Sequence, residues 1–356
     1  MRNRQSIERR GWVLTCLTAL LATLLQAPAG GQEAPPTVVH GLYNWVHSTA
    51  DAGRAFAFYS EVLGIELAPS PFIPNAAAPE GIRAWSEVRS DELIWNLTDT
   101  RGSRARTVFM RAPNTPFGLE LSEFIEIPRE SRQANPWDPG ASRLIFRVRD
   151  LQAVLEKPAA RSAPVVTLGG GPVSARGERA VLVRDPDGYL IELRQATPAE
   201  VAAAADGTIV GTAIGLTVES TPVALRLYRD LLGFEVRETW QASSTELALN
   251  GLDRGRLEQT LTVIPGTAIA VLFADYDLSG TNVAAEPFRW RIQDVGSPQF
   301  QLQVRGLDAL LERTREAGYR FLSVGGRPIQ RPFGRFVFLL DSDNILVEYA
   351  EPAAAQ

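Results

Sequence analysis

The sequence predicts an α+β chain of four strand–helix–three-strand units, arranged as two homologous halves. Three observations predict it. Four landmarks occur twice in the same order. Each quarter opens on an alternating strand that runs into a helix, and turn residues cut the remainder into short strands.

The landmarks define the repeat. Phe58-Tyr59-Ser60-Glu61-Val62-Leu63-Gly64 returns as Leu227-Tyr228-Arg229-Asp230-Leu231-Leu232-Gly233, the end of an amphipathic helix with a glycine stop. Arg147-Val148-Arg149-Asp150-Leu151 returns as Gln303-Val304-Arg305-Gly306-Leu307, a strand end entering a helix. Leu168-Gly169-Gly170 returns as Val324-Gly325-Gly326, a turn before a strand. Asp185-Pro186-Asp187-Gly188 returns as Asp341-Ser342-Asp343-Asn344, a tight reversal between two strands. Three of these pairs are 156 residues apart (Asp185 to Asp341, for example) and the first is 169 apart (Phe58 to Leu227). The halves are residues 37–195 and 207–352, joined by an alanine-rich linker at 196–206. The quarters open with strands at 42–48, 143–148, 213–218 and 299–304.

The first 29 residues predict a secretory signal: arginines at 2, 4, 9 and 10, an apolar stretch at 11–25, then Ala27-Pro28-Ala29. The stretch is short for a membrane span, which needs about 20 residues. Arg9-Arg10 resembles a twin-arginine export pair. Residues 30–36 form a tether. The expected location is therefore periplasmic or extracellular, with no membrane attachment once the signal is removed.

Composition narrows the chemistry. The chain has 356 residues, a formal net charge of -5, one cysteine and two histidines. A length of this order suggests two domains, and the absence of a basic field argues against nucleic acid as a partner. One cysteine and two histidines exclude a disulfide framework and a cysteine zinc site. His40 and His47 are an odd number of residues apart, so a regular strand points them to opposite faces. No Gly-x-Ser-x-Gly elbow supports serine hydrolysis. Arg83, Arg104 and Arg106 read as strand-edge charges that could also grip an anion. Trp45, Trp85, Trp95, Trp240 and Trp290 fall in strand-like stretches, as core or as the walls of a ligand site.

The helix end before Gly64 and the Asp185-Pro186-Asp187-Gly188-Tyr189-Leu190-Ile191-Glu192-Leu193 hairpin, in tandem strand–helix–three-strand units, resemble the vicinal oxygen chelate superfamily. That superfamily includes glyoxalase I, bleomycin- and fosfomycin-resistance proteins, methylmalonyl-CoA epimerase and extradiol dioxygenases. The resemblance covers nearly all of the chain after residue 37. It implies paired βαβββ units whose curved sheets enclose two cups, each with a metal on its floor held from the first and last strands of its units. By position it assigns Asn44, Glu120, Arg143 and Glu192 to the first half. The second half receives Ala213, about Val271, Gln299 and Glu348.

Arginine has no lone pair to give and carries a fixed charge. Arg143 between Glu120 and Glu192 would occupy the cation's own place, so the expectation is a first cup without a metal. Its polar floor would be Glu120, Arg143 and Glu192, with Asn44 and Trp45 beside the ligand. The alternative is one divalent metal (Zn, Ni, Mn or Fe) on His47, Glu120 and Glu192. The second half, with one carboxylate, is expected to be without metal. The function expected is the binding of a small organic molecule by a monomeric, exported protein. The alternative is a lyase or isomerase of glyoxalase or epimerase type, with Glu192 or Glu120 as base and, without a metal, Arg143 stabilising an enolate. A dioxygenase iron site is disfavoured by the two histidines' spacing.

Overall fold

The computed structural model describes residues 38–68 and 90–353. The predicted signal segment, the tether, Arg83 and Trp85 lie outside the described residues. The first quarter contains β1 (Val39–Ser48), α1 (Ala52–Leu63), β2 (Glu66–Leu67), α2 (Glu92–Thr98), β3 (Arg104–Arg111) and β4 (Gly118–Ile125). The second contains β5 (Ser142–Val148), α3 (Leu151–Leu155), α4 (Pro158–Ser162), β6 (Val173–Ala175), β7 (Glu178–Arg184) and β8 (Leu190–Gln195). The linker forms α5 (Pro198–Ala203). The third contains β9 (Ile209–Val218), α6 (Thr221–Leu225) running on into a π-helical turn, β10 (Glu235–Gln241), α7 (Ser244–Leu249), β11 (Arg256–Val263) and β12 (Ala270–Asp277). The fourth contains β13 (Pro298–Val304), α8 (Leu307–Glu316), β14 (Arg320–Phe321), β15 (Ile329–Arg331), β16 (Gly334–Leu340) and β17 (Leu346–Pro352).

Local chemistry sets these boundaries. Asp51 caps α1 by accepting from the Arg54 N–H at 2.9 Å, and Asp150 caps α3 by accepting from the Ala153 N–H at 3.0 Å. Ser243 and Glu246 bond reciprocally as a capping box at the start of α7. Trp95, expected on a strand, lies on α2 and donates from Nε1 to the Ser103 carbonyl at 2.7 Å.

The strands form two mixed sheets, and the order within them corrects the expected pairing of quarters. One sheet runs β14-β16-β17-β13-β1-β4-β3-β2, with β15 on β16. The other runs β10-β11-β12-β9-β5-β8-β7-β6. The first quarter therefore shares a sheet with the fourth, and the second with the third. At the seams β1 lies antiparallel to β13, with Trp45 opposite Phe300, and β5 lies antiparallel to β9, with Arg143 opposite Gly215. A physical reason is visible at the second seam. A Cβ on Gly215 would lie 2.7 Å from Arg143 Cγ, so the glycine provides the volume that the arginine needs. Nothing in the order of the repeats specifies that fit.

The first and second quarters, and likewise the third and fourth, are joined face to face rather than edge to edge. A single apolar cluster takes in Trp45 and Phe300 of one sheet, Phe146 and Leu216 of the other, and residues of α1, α3, α6 and α8. The helix-bearing faces of both sheets thus share a core, and the opposite face of each sheet is left to form a cup. Two buried hydrogen bonds cross this core at equivalent places. Tyr59 on α1 donates to Asp185 Oδ2 at 3.0 Å, and Tyr228 donates to Asp341 Oδ2 at 2.8 Å. Each aspartate also accepts two backbone N–H groups of its own hairpin. The repeated helix-end and hairpin motifs are thus the two ends of one tie, made twice.

Replacing either tyrosine with phenylalanine leaves a buried carboxylate short of a donor. Each single variant is expected to lose about 1–3 kcal/mol of stability, read as a lower urea midpoint at unchanged m-value. The double variant is expected to show near-additive loss.

Candidate functional site

The cup of the sheet shared by the first and fourth quarters holds a cavity of about 120 Å³. Four adjacent strands supply its floor. Glu120 comes from β4, Asn44 from β1, Gln299 and Gln301 from β13, and Glu348 from β17. A register shift between Leu42 and Asn44 breaks the alternation of β1, so Tyr43 lines the cavity while Asn44 reaches Glu120. Asn44 Nδ2 donates to Glu120 Oε2 at 3.2 Å, and Ser122 Oγ donates to Glu120 Oε1 at 3.2 Å. Gly118 makes room for the asparagine, since a Cβ there would overlap Asn44 Oδ1. Gln301 and Glu348 are partners in the parallel ladder. Phenylalanines 109, 124, 336 and 338 wall the cavity, and α2 covers one side with Ile94 and Leu97.

The electrostatics of this floor are unbalanced. Burial pushes the Glu120 carboxyl up to about 8, and the bonds from Ser122 and Asn44 pull it back only partway. Burial, then the charge of Glu120, pushes Glu348 well above the ordinary carboxylate range. Gln301 Oε1 is buried without a hydrogen-bond partner. Two carboxylates and a free amide oxygen on one floor form an oxygen-donor set that asks for a proton or a cation. The chemistry of these donors fits a divalent cation.

The other cup answers the same demand with its own cation. Arg143 Nε lies 3.1 Å from Glu192 Oε2, and Arg194 bonds the other oxygen of Glu192. Burial pushes the fully buried Glu192 up, but Arg194 and Arg143 more than offset it and hold the carboxyl below its usual range. Arg143 Nη1 also donates to Asn250 Oδ1, just past α7. That helix fills the cup. Thr167 Oγ1 donates to the Leu249 carbonyl at 3.1 Å, and Leu249 packs with Ala175, Ala180, Leu182 and Leu190.

The predicted constellation is thus divided. Arg143 and Glu192 are together, but Glu120 lies in the other sheet, because β4 follows β1 and not β5. The expected floor of Glu120, Arg143 and Glu192 does not form. Trp45 is a core residue and not a wall of the cup: it is 1% exposed and donates from Nε1 to Tyr189 Oη at 3.0 Å. Glu348 is not an isolated carboxylate but the partner of Glu120. Gln301, two residues beyond the expected Gln299, stands beside it, although both line the cavity. One signal would have found this floor. Of the possible pairings, only first with fourth gathers Asn44, Glu120, the β13 glutamines and Glu348 at one place. Arg104 pairs with Glu126, just past the end of β4, at 2.9 Å, and Arg106 with Glu123 on β4 at 3.7 Å.

His47 faces the shared core and stacks on Tyr189 with ring centroids 4.5 Å apart, so it joins neither Glu120 nor Glu192. Its ring and the carboxylates of Asp185 and Asp187 bring ligand atoms within 4.8 Å of one another, all buried. Those oxygens are already engaged. Asp185 accepts from Tyr59 and two backbone N–H groups, and Asp187 accepts from Thr49, Ala50 and Arg54. His47 Nε2 lies 3.2 Å from Asp185 Oδ2 and is buried without a hydrogen-bond partner, so this group is a second place where a cation could be held.

No protein-family model matches the sequence, and no curated protein does. Solved structures do match. Glyoxalase I from Zea mays aligns over 87% of this chain and 92% of its own, with 14% identity and a TM-score of 0.53. A putative dioxygenase from Bacillus subtilis subsp. subtilis str. 168 aligns over 90% of this chain and 87% of its own, with 13% identity and a TM-score of 0.52. At these identities the likeness is one of fold. Over most of its length the chain has the two-module fold of these glyoxalase I and putative dioxygenase structures.

The raised carboxyls set a pH dependence. In the cation-free protein, folded Glu120 keeps its proton above pH 4.5, where the unfolded chain gives it up. The unfolded state then binds fewer protons, so stability falls as pH rises from about 4.5 to about 8. Glu348 acts in the same direction. Urea midpoints measured at intervals across this window should decline more steeply for the wild type than for Glu120→Gln.

Proposed function

We propose that the chain binds a small, largely apolar molecule in the cup of the first and fourth quarters, above a divalent cation held by Glu120, Gln301 and Glu348. The carrying observation is the contrast between the cups. Where one carboxylate meets Arg143 and Arg194, two carboxylates and an unpartnered amide oxygen meet no protein cation among the described residues. The solved structures with this fold support the reading, because one bears the name of an enzyme, glyoxalase I, and another that of a putative dioxygenase. The all-oxygen donor set favours Mn²⁺ among the metals considered. The metal-free reading is kept for the cup containing Arg143, which serves as a packed support.

A bound cation would polarise an oxygen of the ligand and lower the cost of charge on it. The rest falls to the chain. Asn44 and Ser122 hold the Glu120 carboxylate in one orientation. The phenylalanine walls exclude water. Glu120, whose carboxyl is pushed up to about 8, holds a proton at neutral pH when no cation is bound, and it is the group placed to exchange one with a ligand. Transfer of a proton within a small molecule, as in a lyase or isomerase, is the reaction class this arrangement serves. We further propose that residues 1–29 direct export and that the protein acts as a monomer. Support comes from the basic, apolar and Ala27-Pro28-Ala29 segments, and from the two modules being fused in one chain.

Titration of chelator-free protein with Mn²⁺ by calorimetry tests the central claim. One ion per chain is expected, with proton release and an affinity that rises with pH up to about 8. Glu348→Gln should weaken binding by more than about 100-fold, beyond the loss typical of residues that only orient ligands. His47→Gln should keep one ion per chain. Absence of binding, or equal binding by Glu348→Gln, would overturn the assignment.

A further inference from the structure

We infer that Arg331 is a specificity-determining residue of this cup, selecting ligands that carry a carboxylate or a similar anion on an apolar body. The inference rests on the proposal that the cup is the ligand site. Arg331 ends β15 and lines the cavity, and it is the one lysine or arginine among the described lining residues. Its side chain is only 17% exposed. A guanidinium has five N–H donors, yet among the described residues its side chain meets one acceptor: Nη1 donates to Asp91 Oδ2 at 2.9 Å. The rest of the fork has no protein partner there and is not among the buried polar atoms, so its free donors are accessible from the cavity side.

Asp91 is a replaceable partner. It already caps α2, accepting from the Leu93 N–H through Oδ1 at 2.8 Å, and it keeps that role whether or not Arg331 stays. A ligand carboxylate could take both arms of the fork, which a single Asp91 contact does not. The position is also distinctive within the chain. Arg331 lies opposite Gly334 in its hairpin, just as Ala175 lies opposite Glu178 in the equivalent hairpin of the closed cup. Ala175 is buried against Leu249 there, so the hairpin does not need an arginine at this place. The register sets the ligand's direction. Glu348 faces Phe338, Phe336 faces Ile329, and Arg331 stands at the hairpin's far end. A bound molecule would therefore present its anion at the mouth, its apolar body to the phenylalanines and its other end to the floor.

The test uses two aromatic probes of the same shape, 1-naphthoate and 1-naphthalenemethanol, titrated into the full chain with Mn²⁺ present and absent. Naphthoate should bind the wild type at least about tenfold more tightly than the alcohol, the margin that a charge-assisted pair supplies. Arg331→Gln should erase this margin and leave the alcohol's affinity unchanged. Asp91→Asn retains a capping oxygen while freeing the guanidinium, so it should tighten naphthoate binding; a purely structural Asp91–Arg331 pair would give no gain. Equal affinities for the two probes in the wild type, or a margin that survives in Arg331→Gln, would overturn the inference alone. If neither probe binds the wild type, the cup as a site for apolar molecules falls as well.

Discussion

A carboxylate removed from water must be given a counter-charge or a proton, and this requirement shapes both cups. In one, Glu192 receives Arg143 and Arg194, and the space above them is closed by α7. In the other, Glu120 and Glu348 receive no guanidinium among the described residues, and a cavity of about 120 Å³ lies above them. Burying ions without compensation is among the most costly things a fold can do. A chain that gives guanidinium counter-charges to one floor and, among the described residues, none to the other has made its duplicate modules unequal. The difference comes down to a few positions. Arg143 with Gly215 opposite makes a filled floor, and Asn44 with Gln301 opposite makes a receptive one.

The strand–helix–strand units and the paired motifs were legible in the sequence, because helix stops, alternation and tight turns are local signals. So was the strand that carries each acid. The partnership of quarters was not. A first strand has a parallel neighbour within its own quarter and an open edge on the other side, and nothing local names the strand that will fill this edge. The error in the expected floor came from this one step, since Arg143 and Glu192 sit within one quarter and Glu120 in another. Trp45 was lost to a smaller effect: the irregularity at Tyr43 shifts which residues of β1 face the cavity, and no turn or charge in the sequence marks it.

The repeated tyrosine and aspartate show how duplicated motifs can mislead about function. Asp185 and Asp187 with His47 form a compact, buried set of ligand atoms. The second half has the same tie in Tyr228, Asp341 and Asp343, with Leu216 and Thr217 where the first has His47 and Ser48. A device that works twice, once without a histidine, belongs first to architecture. In this chain the residues that repeat most faithfully hold the sheets together, and the residues that differ between the halves make one floor unlike the other.

The nesting of the quarters has a consequence for how the molecule is made. Its middle half can zip β5 against β9 as soon as these strands have been synthesised, whereas β1 must wait for β13, which arrives some 250 residues later. Contacts so distant along the chain are slow to form, because the intervening loop must close first. The receptive cup is therefore the last part to be assembled, around an inner pair already in place. A polypeptide cut short before its final quarter would retain the β5–β9 seam but lack Gln299, Gln301 and Glu348, and with them most of the other cup's floor.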